Sequence, residues 1–375
     1  MFIQSMKSET MAKYLYSFTL LSIFIFSSCQ TMQELSIDYM LPAEVSFPVE
    51  LKRVAIVNNT SATPDNKLIP SDEPKKVNEV SRATAYHDGD ARIATQSLAE
   101  AIAKENYFDE VIICDSALRA QDITPRENIL SREEVQNLTD GLGADFIISL
   151  EHLQMKATRV IRHLPEWSAY QGTIDMKVYP TVRIYLPNRN GPMVTVNNKD
   201  SIFWEEFGST ESYVRSRLAG DKKMLDEASE FAGTVPVKYI LPYWKTGKRY
   251  IYINGSVNMR DAAIYVREQS WDKAFALWEQ AYQSTKSKKQ KMATAHNMAI
   301  YYEMQDSIAE AITWATKAQE LARKVEKIED KDFKEIDYNR IPNYIMITLY
   351  MEELKVRQDG LAKLNVQMSR FNDDF

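Results

Sequence analysis

Glycine is scarce in this sequence, with 11 residues among 375, and this scarcity removes several classes of active site. Neither a Gly-x-Ser-x-Gly nucleophile turn nor a glycine loop of the phosphate-binding type occurs. The 13 prolines are equally few, so collagen-like and low-complexity segments are excluded. No motif for a serine hydrolase or a nucleotide-binding enzyme is left, and we predict that the protein is not an enzyme.

The chain also has few of the residues that bind metals or form disulfides. The chain has two cysteines, Cys29 and Cys114, and four histidines, without a Cys-x-x-Cys or His-Glu-x-x-His pair. We therefore expect no metal site and no cofactor. If Cys29 is modified as argued below, Cys114 has no disulfide partner within the chain. Its place at the end of an apolar run favours a buried structural thiol.

Positive charge is not in excess, because the formal net charge is −6. Binding to a nucleic acid backbone needs basic surface, so nucleic acid is not an expected partner.

The N-terminal segment has the three-part layout of a secretory signal. Lys7 and Lys13 precede a stretch from Tyr14 to Phe26 that carries no charge, and two serines then lead to Cys29. A helix needs about 20 apolar residues to span a bilayer, so the run is too short for one. An ordinary signal peptide with an incidental cysteine remains the alternative.

The small-small-Cys ending resembles the lipobox of bacterial lipoproteins. This resemblance implies that residues 1–28 are a lipoprotein signal peptide and that Cys29 is acylated and becomes the mature N-terminus. Residues 30–33 (Gln-Thr-Met-Gln) lack the acidic run that marks surface export, so we expect an outer-membrane anchor facing the periplasm. Residues 29–50, which contain two prolines, read as a tether.

Residues 51–250 carry the pattern of an α/β domain with a mixed sheet, in two or three layers. Apolar runs predict strands, and Asp90 and Ser131 stand where helices are expected to begin. The order strand, helix, strand, helix, strand implies parallel pairing. Alternation from Ile174 to Leu186 then predicts an antiparallel extension. The polar stretch Asn58 to Gly89 reads as a long loop, either mobile or functional.

Two runs in this domain carry a resemblance. Val54 to Val57 (Val-Ala-Ile-Val) and Gly143 to Ile148 (Gly-Ala-Asp-Phe-Ile-Ile) are similar to hydrophobic signatures of the periplasmic domain of curli-secretion lipoproteins and of lipoprotein activators of penicillin-binding proteins. The resemblance implies a fold and says almost nothing of an activity.

Residues 257–375 change to helical periodicity. Small and aromatic residues recur at a constant offset of 37, for example Ala262 with Ala299 and Tyr265 with Tyr302. The pattern resembles the tetratricopeptide repeat, although Gln269 and Asp306 stand where that repeat turns on glycine. A third helical pair is expected to about Arg370, turning at Asp359-Gly360. The whole is thus predicted as an α+β multidomain protein with an all-α tail of helical hairpins.

Several aromatic residues lie between the two predicted domains, and they are interpreted as packing residues with ligand stacking as the alternative. They are Tyr239, Tyr243, Trp244, Tyr250 and Tyr252.

The chain as a whole resembles exported lipoproteins of unknown function from gut-type Bacteroidota. We expect a non-catalytic, membrane-anchored scaffolding module that binds an envelope protein or peptide. Asn258, Arg260, His296 and Tyr301 are the candidate partner-binding residues, on first helices of the repeats at positions not needed for packing. An oligomeric subunit of a secretion or envelope-assembly complex is the first alternative, and a hydrolase with an unrecognised site in the Asn58 to Gly89 loop is a weaker one.

Replacement of Cys29 by serine is expected to release the protein from the membrane, because two or more acyl chains anchor a protein stably. Fractionation of cells expressing Cys29→Ser, followed by immunoblotting, measures this release. Equal membrane retention of the variant and the unaltered chain would contradict the lipoprotein interpretation.

Overall fold

A computed structural model describes residues 32–61, 77–122, 129–328 and 341–374. The chain divides into two compact units, which we name after their main elements. Of the described residues, the sheet unit contains 40–243 and 362–374, and the helical unit contains 32–39 and 244–361. A mixed sheet in the first unit and α-helices in the second confirm the predicted α+β class. Cys29 lies outside the described residues.

Elements are numbered along the chain. Those of the sheet unit are β2 (Arg53–Asn58), β3 (Glu79–Asp88), α1 (Ala91–Lys104), β4 (Glu110–Ala117), α2 (Arg132–Leu142), β5 (Phe146–Leu164), β6 (Ala169–Tyr185), β7 (Val194–Asn197), β8 (Asp200–Gly208), α3 (Glu211–Arg217), α4 (Asp221–Thr234) and α5 (Val237–Ile240).

The sheet runs in the order β4-β2-β5-β6-β7, while β3 pairs with β5 and β8 pairs with β6. Strand β2 is parallel to both neighbours, with Val54 opposite Val111 on one side and Phe146 on the other. The remaining pairings are antiparallel. Both the predicted parallel core and the predicted antiparallel extension are confirmed.

Helices cover both faces of the parallel part of the sheet. Val54 and Ile56 contribute to one apolar cluster together with residues of α1, and Ala55 and Val57 to another that includes Val135 of α2. Successive strand residues point to opposite faces, so an unbroken apolar run fits a strand that is buried on both sides. This part of the unit therefore has three layers.

The predicted helix starts are confirmed by their hydrogen bonds. Asp90 accepts from the backbone N–H of Ile93, and Ser131 forms a capping box with Glu134. Helix α2 ends at Gly143, whose φ of 68° is the left-handed conformation that glycine adopts without steric strain.

The predicted loop from Asn58 to Gly89 is wrong in its second half. Residues Glu79–Asp88 form strand β3, which runs antiparallel to β5 with Thr84 opposite Thr158. The residues that pair with β3 lie 66 to 83 positions further along the chain, and the sequence of β3 itself lacks a clear alternation of buried and exposed residues. Residues 62–76 lie outside the described residues.

The helical unit contains the two-stranded sheet of β1 (Met32–Leu41) and β9 (Tyr243–Tyr252), followed by helices. The helices are α6 (Val257–Arg267), α7 (Trp271–Ser284), α8 (Lys288–Met304), α9 (Ile308–Val325) and α10 (Pro342–Met368).

The predicted tether over residues 29–50 is wrong where the structure describes it. Residues 32–41 form β1, and Val45 and Phe47 are buried in the core of the sheet unit. The apolar residues of this segment contact residues that lie far along the chain, and such contacts cannot be predicted from local periodicity.

Two helical hairpins follow at the predicted offset. Their turns place Gln269 at a φ of 59° and Asp306 at 52°, so these residues adopt the left-handed conformation usual for glycine. Alanines such as Ala262 and Ala299 are fully buried on the facing sides of the helices. Small side chains there let the helix backbones approach closely.

The predicted third hairpin is wrong, because α10 continues through Asp359 and Gly360 as one helix of 27 residues. Gln367 near its end bonds to the backbone of Ala43 and Val45, within the sheet unit. The two units of the structure therefore differ from the predicted domains. The first segment of the sheet unit ends at residue 243, whereas the predicted domain ends at residue 250. The sheet unit also includes residues 362–374, which the prediction assigned to the helical tail.

Two glycines of the sheet unit test its packing as a matched pair. A Cβ on Gly233 of α4 would lie 2.3 Å from the backbone oxygen of Ala94, whereas one on Gly141 of α2 meets nothing within 4 Å. We expect Gly233→Ala to destabilise the fold by about 1–3 kcal/mol through overpacking. Gly141→Ala should stabilise it by about 0.5 kcal/mol through helix propensity and the unfolded state.

Urea unfolding followed by circular dichroism measures both changes. Equal midpoints for Gly233→Ala and the unaltered chain would contradict the close contact between α1 and α4.

Candidate functional site

The four predicted partner-binding residues do not form one surface of equivalent positions. Asn258 and Arg260 lie in the first turn of α6, where Asn258 is half-buried and Arg260 is exposed. Tyr301 lies near the end of α8, stacks on Phe275 at a centroid distance of 4.3 Å, and donates a hydrogen bond to Asp272 at 2.8 Å. Tyr301 of α8 thus packs against α7 of the preceding hairpin.

The prediction that His296 stands at a position not needed for packing is wrong, since its side chain is 2% exposed. The imidazole lies edge-to-face with the rings of Tyr252 and Tyr350. Every residue of α8 from Met292 to Ile300 is buried. A helix without charged residues on any face is expected to be buried on all sides. The run from Met292 to Tyr302 carries no charged residue, and this feature of the sequence predicts the burial of His296.

A charged network lies next to His296 in the helical unit. The guanidinium of Arg249 holds both oxygens of Glu303, with its Nε and Nη2 each 2.8 Å away, and its Nη1 binds Glu353 at 2.7 Å. Arg357 donates to the same Glu303 at 2.7 Å and to Asp306 at 3.2 Å. The Glu303 side chain is fully buried, so its charge is balanced by two arginines rather than by water.

Tyr39 of β1 extends this network by ring contacts. The guanidinium carbon of Arg357 lies 4.3 Å from the centroid of the Tyr39 ring, and that of Arg249 lies 5.8 Å away. Cation–π attraction of this kind strengthens when the groups are shielded from water. It connects Tyr39 of β1 to the two arginines that hold Glu303.

A cavity of about 170 Å³ opens beside this network. Its lining residues are Lys248, Arg249, Tyr250, His296, Met346, Leu349, Tyr350 and Glu353. All belong to the helical unit. We call this cavity the His296 pocket.

Hydrogen bonding determines the tautomer of His296. Its Nε2 lies 2.9 Å from the backbone oxygen of Tyr250, and because a carbonyl only accepts, Nε2 must carry the proton. Nδ1 is then an acceptor, and no described residue offers it a hydrogen bond. The hydroxyl of Tyr350 is likewise buried without a partner among the described residues.

The protonation states of these two groups follow from their burial. Burial lowers the pKa of His296 to about 4. The hydrogen bond to the Tyr250 carbonyl opposes this shift, and the positive charge of Arg249 adds a smaller lowering. Burial and the negative charge of Glu303 raise the pKa of Tyr350. The pocket therefore presents a neutral imidazole and a protonated phenol at neutral pH.

The sheet unit holds a second buried polar cluster, where the parallel strands end. Glu151 accepts from Asn59 at 2.8 Å and from Tyr185 at 3.0 Å, and lies 3.6 Å from Arg183. Arg119, just beyond β4, donates to Asn59 at 2.6 Å. Burial raises the pKa of Glu151 although these hydrogen bonds oppose the shift.

In open α/β sheets the carboxyl ends of parallel strands are the usual place for ligands. Here most hydrogen bonds are made within the cluster. Asn59 and Tyr185 donate to the two oxygens of Glu151, and Arg119 donates to Asn59 and Glu134. The Oγ of Ser149 and the Nε of Arg183 have no hydrogen-bond partner among the described residues. The cluster joins the ends of β2, β4 and β6 to Glu151, which lies within β5. Its contacts describe a structural role and give no support to the hydrolase alternative.

Two other kinds of functional feature are absent from the described residues. No group of three or more His, Cys, Asp or Glu side chains in those ranges is placed to hold a metal ion. None of the described helices is long and apolar enough to cross a membrane.

Sequence reasoning missed Arg249, Tyr350 and Glu353, which line the pocket, and it missed Glu303, which accepts hydrogen bonds from Arg249. They come from three elements, so no local spacing connects them. One usable indication was present, since Glu303 directly follows an uncharged helical run, and a charge at such a place needs a buried partner.

Comparison with known proteins yields two family models. The model described as Domain of unknown function (DUF8603) matches residues 51–252. The model described as Domain of unknown function (DUF6340) matches residues 260–356. No curated protein and no solved structure matches the chain.

The pKa of His296 makes the stability of the helical unit depend on pH. The folded pKa of about 4 lies below the value of 6.5 for an unperturbed histidine. The unfolded chain therefore binds more protons between these values, and stability falls as pH falls through this window. Between pH 7 and pH 5 we expect a loss of about 2 kcal/mol from this residue.

Urea unfolding of the unaltered chain and of His296→Gln at both pH values isolates this effect. Glutamine can donate the same hydrogen bond to Tyr250 but does not titrate. The loss between pH 7 and pH 5 should be about 2 kcal/mol smaller in the variant. An equal loss in both proteins would contradict a buried neutral imidazole.

Proposed function

The chain belongs to the family described as Domain of unknown function (DUF8603), and since that description assigns no activity, we propose a function from the residues themselves. We propose that the protein is a non-catalytic lipoprotein, anchored through Cys29 in the outer membrane and facing the periplasm. There it acts as a scaffold that binds an envelope protein or peptide through its helical unit.

The observation that carries this proposal is the His296 pocket, on a unit built from helical hairpins. It combines an accessible apolar margin with a buried polar base, since Leu349 is 64% exposed and His296 is 2% exposed. Energetically important contacts between proteins concentrate in pockets of this kind, where a side chain of the partner is shielded from water.

The charges beside the pocket support binding rather than catalysis. Arg249 and Arg357 are neutralised by Glu303, Glu353 and Asp306 at hydrogen-bonding distance. A general acid, base or nucleophile needs a reactive group that reaches the substrate with a suitable pKa. Carboxylates held by arginines in this way serve the fold.

The anchor at Cys29 rests on the sequence. The charged start, the apolar run and the Ser27-Ser28-Cys29 ending together account for membrane attachment. Attachment would concentrate the helical unit at the membrane surface, where even a weak contact with an envelope protein is favoured by effective concentration.

One observation favours the second candidate, an oligomeric subunit of a secretion or envelope-assembly complex. Strand β4 pairs with β2 alone among the described strands, and Ile113 on it is 39% exposed. An open groove of about 410 Å³ between α1 and β4 adjoins it. An unpaired edge with an apolar residue can add a strand from a second molecule.

Site-specific photocrosslinking in cells tests the proposal against this alternative. Photoreactive groups are placed at Leu349 on the pocket margin, at Arg260 on the predicted partner face and at Ile113 on the sheet edge. The proposal expects Leu349 and Arg260 to capture one and the same envelope protein, because both lie on the helical unit, and expects no self-crosslink at Ile113.

If the partner binds in the pocket, crosslinking of the envelope protein from Arg260 must also depend on the pocket being open. Filling its mouth with Leu349→Trp, while the photoreactive group stays at Arg260, should reduce capture at least about fivefold, as expected when a central contact is lost. Crosslinks confined to Ile113, with ladders of the chain's own mass, would favour the oligomer and contradict the binding role of the helical unit.

A further inference from the structure

Four lysines form a basic cluster at one end of the helical unit. Lys286, Lys288, Lys289 and Lys291 lie in the link between α7 and α8 and in the first turn of α8. The first three are exposed, and none of the four forms an ion pair with a described carboxylate. Lys291 lies over the ring of Tyr282 at 5.3 Å. We call these four residues the lysine cluster, and its charge is opposite to the net charge of −6 of the chain.

The position of the lysine cluster does not stabilise the helix that carries it. The N-terminus of a helix bears a partial positive charge, so acidic side chains stabilise the first turn and basic ones destabilise it. The first turn of α8 contains three lysines and no acidic residue, whereas α2 begins with Glu133 and Glu134. The lysines are not needed for capping either, because the backbone N–H of Gln290 donates to Ser287. This arrangement points to a function outside the fold.

The contacts between β1 and β9 show where β1 begins. Glu34 lies 3.0 Å from Lys248, and Asp38 accepts a hydrogen bond from Thr246 at 2.6 Å. As β1 advances, its contacts therefore move back along β9, so the two strands are antiparallel. Met32, the first residue of β1, lies beside the last residues of β9.

The chain that leaves β9 leads to the lysine cluster. The backbone N–H and oxygen of Tyr252 both bond to the side chain of Asn297 in α8. A Cβ on Gly255 would lie 4.0 Å from Cγ of Gln290, in the first turn of α8. Residues 252–255 thus run along α8 toward its N-terminus. Since β1 is antiparallel to β9, the chain enters β1 from the same end of the unit.

The proposed lipid anchor lies close to this end. Cys29 precedes Met32 by three residues in the sequence. An extended chain spans at most about 3.6 Å per residue, so the Cα atoms of these two residues lie within about 11 Å of each other. With Cys29 acylated, the bilayer surface is held beside the end of the unit that carries the lysine cluster. Val257, at the start of α6, adds an apolar side chain that is 60% exposed.

We propose that the lysine cluster binds the anionic phospholipid headgroups of the membrane that holds Cys29, and thereby orients the helical unit on the bilayer. The place of the membrane rests on the proposed function, whereas the charge of the cluster rests on the structure. Phosphate is the chemistry that the lysines recognise. A lipid surface is favoured over a free phosphate because the anchor keeps many headgroups within the reach of all four side chains.

Lysine labelling of the acylated protein tests this contact. The protein is purified from membranes and reconstituted into vesicles of phosphatidylcholine alone or of equal parts phosphatidylcholine and phosphatidylglycerol. An uncharged amine-reactive reagent is added, and mass spectrometry gives the labelling rate of each lysine. The lysine cluster should react at least about fivefold more slowly on the anionic vesicles, the factor expected for one lysine near an anionic surface. About 1 M salt should remove the difference, because it shortens the Debye length to about 3 Å.

Controls locate the effect at one end of the unit. Lys273 is exposed and lies at the opposite end of α7, so its rate should be the same on both kinds of vesicle. The double variant Lys288→Gln and Lys289→Gln should weaken the protection of the two remaining cluster lysines. The matched variant Arg267→Gln and Lys273→Gln removes the same charge at the turn between α6 and α7, and it should leave their protection unchanged.

Four results would overturn the proposal. The first is equal labelling of the lysine cluster on the two kinds of vesicle, and the second is an equal slowing at Lys273. The third is labelling that is already as slow in detergent, which would mean that the chain covers its own lysines; residues 329–340, outside the described ranges, carry five acidic side chains with the charge to do so. The fourth is the same slowing by inorganic phosphate in detergent, which would assign the cluster to a free anion.

These outcomes are distinct from a failure of the proposed function. Slow labelling on anionic vesicles without photocrosslinks from Leu349 in cells would leave the membrane contact intact and remove the scaffold role. Crosslinks together with equal labelling on both kinds of vesicle would do the reverse. A purified protein whose mass lacks acyl chains would remove the anchor and this contact together.

Discussion

The helical unit depends on the neutralisation of one buried carboxylate, that of Glu303. It sits on α8 and is held by Arg249 from β9 and by Arg357 from α10, at 2.7–2.8 Å. Loss of either arginine would leave charge uncompensated in the interior, which in comparable cases costs about 3–5 kcal/mol. The strand and the last helix are therefore fixed relative to α8. The carbonyl of Tyr250, the residue after Arg249, then orients the imidazole of His296.

The parts of the fold that could be predicted from the sequence are those encoded by neighbouring residues. Asp90 and Ser131 cap helices because their side chains reach the backbone N–H three residues on. The run from Val54 to Val57 is a central strand because apolar residues on both faces need cover on both faces. Each of these features is determined by residues that are close together in the chain, so the sequence pattern alone is enough to predict it.

The missed parts depend on partners far apart. Strand β1 pairs with β9 about two hundred residues later, and its own composition does not reveal that partner. Helix α10 passes through Gly360, because the penalty of about 1 kcal/mol for glycine in a helix is smaller than the packing gained around it. The site was missed for the same reason. His296 was placed on an exposed face by repeat alignment, whereas the uncharged run around it means burial.

Both buried polar clusters leave polar atoms without a hydrogen-bond partner among the described residues, Ser149 Oγ and Arg183 Nε in the sheet unit and His296 Nδ1 in the helical unit. In the sheet unit both oxygens of Glu151 accept hydrogen bonds, so the carboxylate has little left to offer a ligand. In the helical unit the carboxylates are as fully engaged, yet the imidazole beside them keeps one nitrogen turned away from its only hydrogen bond. That nitrogen stays an unprotonated acceptor at neutral pH, because burial lowers the pKa of His296 to about 4.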